Sequence, residues 1–353
     1  MHLNEKLDYI IVGQGIAGSV LAFKLITSGK KIAVFDQPDK NRSSAIAGGI
    51  FNPITGKNMI KTWKADVLWP TMLNFYKDVE KTLRVKILHQ LDHYRPFLTP
   101  GESNDFIAKS SMEGYMDFIK DIHTTSTFGD VVYDPYGGIS LAQTGYIDVP
   151  LFLQSVSAFL KKAGSYYNEF LHTEDLVTTG PVTYKGLTAD KIIFCTGPDK
   201  TGGQYFPWLP YKPVKGEVIK VEFTRPVTQI FNRGVFILPL HDGTCTVGAT
   251  YDHSELSMER TERARERLIQ GLKKLTSVHF NVTNQRAGIR PATIDRRPFI
   301  GIHPENPHLA LFNGLGAKGV SLAPYMAEEL ISQLNDPAKI IQNEVSIRRY
   351  YHT

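Results

Sequence analysis

Apolar positions along the chain fall into two rhythms. Near the start, DYIIVG (8–13) is a continuous apolar run. That pattern predicts a strand buried on both faces of a parallel sheet. Ala17, Leu21, Ala22 and Leu25 then recur at helical spacing, which predicts a helix over 16–28. Gly29 follows it, a residue suited to a helix C-terminus. KIAVFD (31–36) predicts a second strand. Helical spacing returns at 64–82, at 149–163 and, with a charged outer face, at 258–275. ADKIIFCTG (189–197) reads as a buried strand ending at a tight turn. HLALFNGLGAKGVSLAPYMAEELISQL (308–334) reads as strand, glycine turn and helix. From 83 to 144 the pattern is irregular and strand-like, rich in Tyr, Phe, Thr and Pro. The order of elements predicts an α/β fold whose first sheet is interrupted and resumed.

The first turn carries chemistry. Gly13, Gly15 and Gly18 stand in the spacing G-x-G-x-x-G, with Gln14, Ile16 and Ala17 between them. Gly13 permits the tight turn, Gly15 leaves room for a pyrophosphate, and Gly18 lets the helix approach the strand. Asp36 ends the second strand, where a carboxylate binds ribose hydroxyls. Strand, turn, helix and acid together predict dinucleotide binding. Gln37 and Pro38 follow the acid, so no cation stands immediately beside it for a 2′-phosphate. A nicotinamide domain would continue with further β-α-β units. Here a small-residue loop, SSAIAGGIFNPITG (43–56), comes instead.

The second glycine turn, 314–320, comprises Gly314, Leu315, Gly316, Ala317, Lys318, Gly319 and Val320. It opens a helix, whose free amides and dipole favour negative charge. A second phosphate-binding unit is one reading and an ordinary capped helix another; the favoured one is a helix start aimed at the far end of the same cofactor, where Lys318 would add a cation beside the N1 and C2 carbonyl if that cofactor is a reduced flavin.

Composition narrows the class. At 353 residues, 42% hydrophobic and 21% charged, the chain is an ordinary globular protein of about two domains. Net charge +5 and pI near 8.9 suit anionic ligands but are too small to argue for nucleic acid. Cys195 and Cys245 sit in apolar runs and read as buried thiols. With no signal peptide or membrane span predicted, a cytoplasmic setting is expected. His89 and His93 in LHQLDHYRP are four apart, but Pro96 argues for strand or loop and against a metal pair.

VGQGIAGSVLAFKL, SSAIAGGIFNP, IIFCTGP, PVKGEVIKV, TVGATYD, AGIRPATIDRRPFIG and NGLGAKGVSLAP together resemble the D-amino-acid oxidase family of FAD-dependent oxidoreductases, which includes glycine and sarcosine oxidases. The resemblance spans nearly the whole chain. It implies a Rossmann-like FAD-binding domain (1–82, 145–205 and 287–353) interleaved with an α+β substrate domain built on a mixed sheet (83–144 and 206–286). It implies non-covalent FAD, with Asp36 at the adenosine ribose and Gln37 among the cofactor-binding residues. Ser43, Ser44, Ala47, Gly48 and Gly49 would line pyrophosphate and flavin. Thr196 and Gly197 would lie on the adenine side, and 314–321 would meet the flavin ring.

For the reaction, the resemblance implies hydride transfer from an amine-bearing carbon to flavin N5, giving an imine. The substrate would be a small amino acid or N-substituted glycine, with oxygen or another carrier as final acceptor. Arg290 would bind the substrate carboxylate, a task suited to a planar guanidinium. Pairing with Asp295 is its structural alternative. Phe236 stands where glycine oxidase has a tyrosine, and Thr246 where sarcosine oxidase has a lysine. The loop 43–53 and the last helix also resemble the oxidase half of the bifunctional tRNA wobble-uridine modification enzyme. A carboxymethylaminomethyl-type tRNA base is therefore an alternative substrate.

Overall fold

The computed structural model describes residues 6–37, 43–56, 58–199 and 201–352. Its first sheet has seven strands among these residues. The order is Tyr166–Tyr167, Ile32–Phe35, Leu7–Val12, Leu187–Phe194, Leu309–Asn313 and Phe299–Ile302, with Val182–Tyr184 beside Leu187–Phe194. The five strands from Tyr166–Tyr167 to Leu309–Asn313 run parallel, and Phe299–Ile302 closes that edge antiparallel. Tyr9, Ile11 and Val34 face a core with helices Ile16–Thr27, Ala65–Leu83, Val149–Lys162 and Gly319–Asn335. Ile10, Val12, Ala33, Phe35, Ile192 and Phe194 face a second core on the other side. Burial on both faces explains the unbroken apolar runs.

The second sheet has eight strands among the described residues. Their order is Phe280–Arg290, Val214–Phe223, Cys245–Gly248, Val235–Pro239, Ile230–Arg233, His93–Pro96, Gly138–Leu141 and Ile119–His123. Its pairings are antiparallel except Ile230–Arg233 with His93–Pro96. Side chains alternate across it. Ile219, Val221, Ile237, Cys245 and Val247 pack with Leu268 and Leu272 of helix Glu262–Leu275. The opposite face carries Val218, Phe236, Leu238, Thr246 and Gly248, brought side by side by register.

The sequence-predicted helices appear with shifted ends. Glu262–Leu275 starts later than expected because the Thr261 hydroxyl accepts from Ala264 N and caps it there. One helix, Pro100–Ser110, lies inside the stretch read as strand-like. Its start is a recognisable device: Thr99 accepts from Glu102 N while Glu102 accepts from Leu98 N.

The glycines of the first turn are required by distance as well as conformation. A Cβ at Gly18 would lie 1.9 Å from the Gly13 carbonyl oxygen, whereas Gly29, at φ +84°, has nothing within 4 Å. Gly18→Ala must push helix from strand and is expected to cost about 3 kcal/mol, the upper end for overpacking. Gly29→Ala carries only left-handed backbone strain, about 1 kcal/mol. Denaturant titration of both variants checks this, and equal costs would contradict the contact argument.

Candidate active site

The sequence-predicted residues converge where the parallel strands of the first sheet end. Gly13 leaves Leu7–Val12 at φ +93° beneath the Cys195 carbonyl. Its turn delivers the chain into helix Ile16–Thr27, which has no side-chain cap at Gly15 and no acid in its first turn. Ile16 N donates to Ser44 Oγ at 3.2 Å, tying the turn to the start of the 43–56 loop. Gln14 N donates to Asp36 Oδ1 at 2.8 Å, so the carboxylate sits beside the turn. Gln37 is exposed, and Pro38 lies outside the described residues.

The second glycine turn meets the first. A Cβ at Gly319 would come 2.9 Å from Ile16 Cγ2, so the two helix N-termini abut. Helix Gly319–Asn335 also lacks a side-chain cap and an acid in its first turn. Asn313 Nδ2 donates to the Gly197 carbonyl at 2.9 Å. Thr196 is turned inward: its hydroxyl donates to carbonyls of Asp199 and Thr201, within its own turn.

The Lys318 ammonium donates to Thr62 Oγ1 at 2.9 Å and Thr55 Oγ1 at 3.2 Å. It makes no ion pair with a carboxylate among the described residues. Burial, then the nearby Arg297 charge, lower its pKa to about 8. Arg297 lies half-buried over the Trp63 ring, and Arg296 is exposed.

The eight-stranded sheet supplies the facing wall. A Cβ at Gly48 would be 3.4 Å from the Phe236 ring and 3.5 Å from Leu238 Cδ2. Ala47 is exposed, whereas Gly49, at φ +68°, is pressed on the Ile147 carbonyl. Phe236 offers a phenyl wall and no hydroxyl. Arg286 Nη1 donates to the Ala45 carbonyl at 3.2 Å, from the same face of strand Phe280–Arg290 as Gly288 and Arg290.

Arg290 Nη1 donates to the Thr250 carbonyl at 3.2 Å, and its guanidinium lies over the Tyr251 ring. Burial holds its pKa below the usual arginine value. The Asp295 alternative is excluded by geometry: Asp295 Oδ2 accepts from Arg349 Nε at 2.9 Å. Among the described residues Arg290 has no carboxylate partner. An arginine so placed is set to receive an anion.

Sequence reasoning missed Thr55, Thr62, Thr250 and Tyr251. Thr55 sits on a two-residue strand and Thr62 just after another, with no periodicity to find, and the others follow the strand Cys245–Gly248. His93 is buried against Asn52 and pushed down to about 3 by that burial and Arg95. His89 lies apart, bonded to His241. No group of three potential metal ligands occurs among the described residues. No described helix is long and apolar enough to cross a membrane.

The residues fit a dinucleotide. Two helix starts without acids or N-cap side chains meet, an acid flanks the first, and Ser44 Oγ, which accepts from Ile16 N, faces Gly15 with no side chain between. Comparison with known proteins agrees. Glycine oxidase of Bacillus licheniformis is 25% identical over 96% of this chain and 95% of its own. The bifunctional tRNA 5-methylaminomethyl-2-thiouridine biosynthesis protein of Leptospira borgpetersenii is 22% identical over 94% of this chain, which spans only 58% of that protein. The crystal structure of glycine oxidase from Geobacillus kaustophilus superimposes with a TM-score of 0.78 at 18% identity, covering 96% of both chains. Iminodiacetate oxidase from Chelativorans gives 0.76 at 20% identity, covering 97% of this chain and 98% of its own. The family model described as DAO, FAD dependent oxidoreductase, matches residues 8–333, and the chain belongs to that family.

Proposed function

We propose that this FAD-dependent oxidoreductase oxidises the amine of a small amino acid or N-substituted glycine to an imine, which water then hydrolyses. The observation that carries the reading is Arg290: a largely buried guanidinium, without a carboxylate partner among the described residues, beside the face that meets the Gly48 loop. Glycine oxidase and iminodiacetate oxidase, named among the similar proteins, both act on amino-carboxylates and support it.

FAD, when bound, supplies the two-electron acceptor. The turn 13–18, with the amides of Ile16 and Ala17, would hold its pyrophosphate, and Asp36 its ribose. Ser43, Ser44, Gly48, Gly49 and 314–320 would line the remainder, with Gly197 toward the adenine. Arg290 binds the substrate carboxylate and thereby orients the amine-bearing carbon. Phe236 and Leu238 exclude water from the cleft. Lys318 keeps a positive charge at the start of helix Gly319–Asn335. An amine that binds neutral needs no dedicated base. A tRNA base as substrate has less support, because that relative is matched over 58% of its length and the net charge is only +5.

Anaerobic mixing with glycine, sarcosine and other small amino acids should bleach the flavin absorbance with at least one of them. Bleaching only by amines without a carboxylate would overturn the substrate class. Arg290→Lys should keep FAD but slow reduction by the carboxylate substrate about 100-fold, since lysine cannot offer two parallel donors. Stopped-flow reduction at wild-type speed would make Arg290 structural.

Lys318 gives a signed pH dependence. It is charged below about pH 8 and discharges above it. A nearby cation favours the reduced, negative cofactor, so the wild-type midpoint potential should exceed that of Lys318→Met at neutral pH. The two should converge roughly two units above that pKa. Parallel potential-versus-pH curves would remove Lys318 from this role. Acid precipitation should also release free FAD, and colour retained in the pellet would show a covalent link.

A further inference from the structure

The surroundings of Arg290 restrict how a ligand can reach it. On one side lies strand backbone: the place a Cβ of Gly216 would take is within 2.1–2.2 Å of Cζ, Nη1 and Nη2. On another lies Tyr251, whose ring centroid is 4.6 Å from Cζ. Thr250 takes one N–H of Nη1. The other guanidinium donors have no partner among the described residues. An incoming carboxylate must use that remaining edge, alongside the Tyr251 ring.

Tyr251 is exposed at its ring and anchored at its backbone. The residue is 58% exposed. The next residue, Asp252, exchanges two backbone hydrogen bonds with Lys215, at 2.8 and 3.0 Å. The Lys215 side chain is 1% exposed and donates to Glu255 and to Ser257, the latter at 3.4 Å. Thr250 Oγ1 accepts from Glu217 N at 2.9 Å. The segment is therefore stitched to strand Val214–Phe223 on both sides of Tyr251, and the ring is presented from a fixed base.

We propose that Tyr251 determines substrate size. Its ring holds the Arg290 fork and forms the wall against which the substituent on the substrate's α-carbon packs. A carboxylate carbon paired side-on with a guanidinium lies roughly 4 Å from Cζ, so the atoms bonded to it fall within contact distance of the ring. Small amino-carboxylates are admitted, and those with aromatic substituents are refused. This inference rests on Arg290 as the carboxylate anchor.

The test uses FAD-loaded protein and two inert carboxylates, acetate and phenylacetate, with binding read from the shift in flavin absorbance. Wild type and Tyr251→Phe should bind acetate more tightly than phenylacetate. Tyr251→Ala should lose about ten-fold for acetate, the scale of a cation–π contact, and should reverse the preference. Bound FAD reports that each variant is folded. Wild-type affinities and order in Tyr251→Ala overturn the proposal. Arg290→Lys separates the two claims: weakened acetate binding there, with an unaltered Tyr251→Ala, leaves the anchor standing and removes only Tyr251. Unchanged acetate binding in Arg290→Lys, or no acetate binding by wild type, removes both.

Discussion

One close approach governs the cleft: the Gly13 carbonyl against the α-carbon of Gly18. Nothing larger than hydrogen fits on Gly18, so the helix lies directly on the strand end it has just left. That seating turns the helix start toward the loop 43–56, where Ile16 N meets Ser44 Oγ, and brings Gln14 N onto Asp36. It also places Ile16 where Gly319 meets it, which sets the second helix start beside the first. Two amide-rich helix ends are thereby concentrated in one place, a source of positive potential that uses no ionised side chain.

The eight-stranded sheet meets this cleft with a face assembled by alternation. Its inward residues pack on helix Glu262–Leu275, and the intervening ones turn toward the loop 43–56. Three glycines, Gly216, Gly248 and Gly288, lie on that outer face by register. Gly216 leaves the volume that the Arg290 guanidinium fills, and Gly248 leaves that of the Phe236 ring. The arginine is thus seated by an absence of side chain two residues along the neighbouring strand.

The first sheet was legible in the sequence because its signals are local. Apolar runs, helical spacing and glycine turns each occupy fewer than twenty residues, and 16–28, 64–82 and 149–163 match helices Ile16–Thr27, Ala65–Leu83 and Val149–Lys162. The second sheet was less legible because its pairings join distant segments, such as Ile230 with His93. Helix Pro100–Ser110 escaped notice although its T-P-G-E start carries a capping signal, since the surrounding stretch read as strands. Arg290 was found through motif resemblance. What sequence could not supply was the fate of Asp295, taken by Arg349, or the nearness of Tyr251, which depends on the bridge between Lys215 and Asp252.

The order of strands has a consequence for the chain as it is made. Leu7–Val12 finds Ile32–Phe35 almost at once, but its other neighbour is Leu187–Phe194, with Leu7 opposite Ala189. At about 5–20 residues per second, a ribosome needs on the order of ten to forty seconds to make that partner. During that interval one edge of an apolar strand is open to other chains. Nascent copies on one message would expose the same edge together, so chaperones that shield emerging apolar segments should matter most between these two strands.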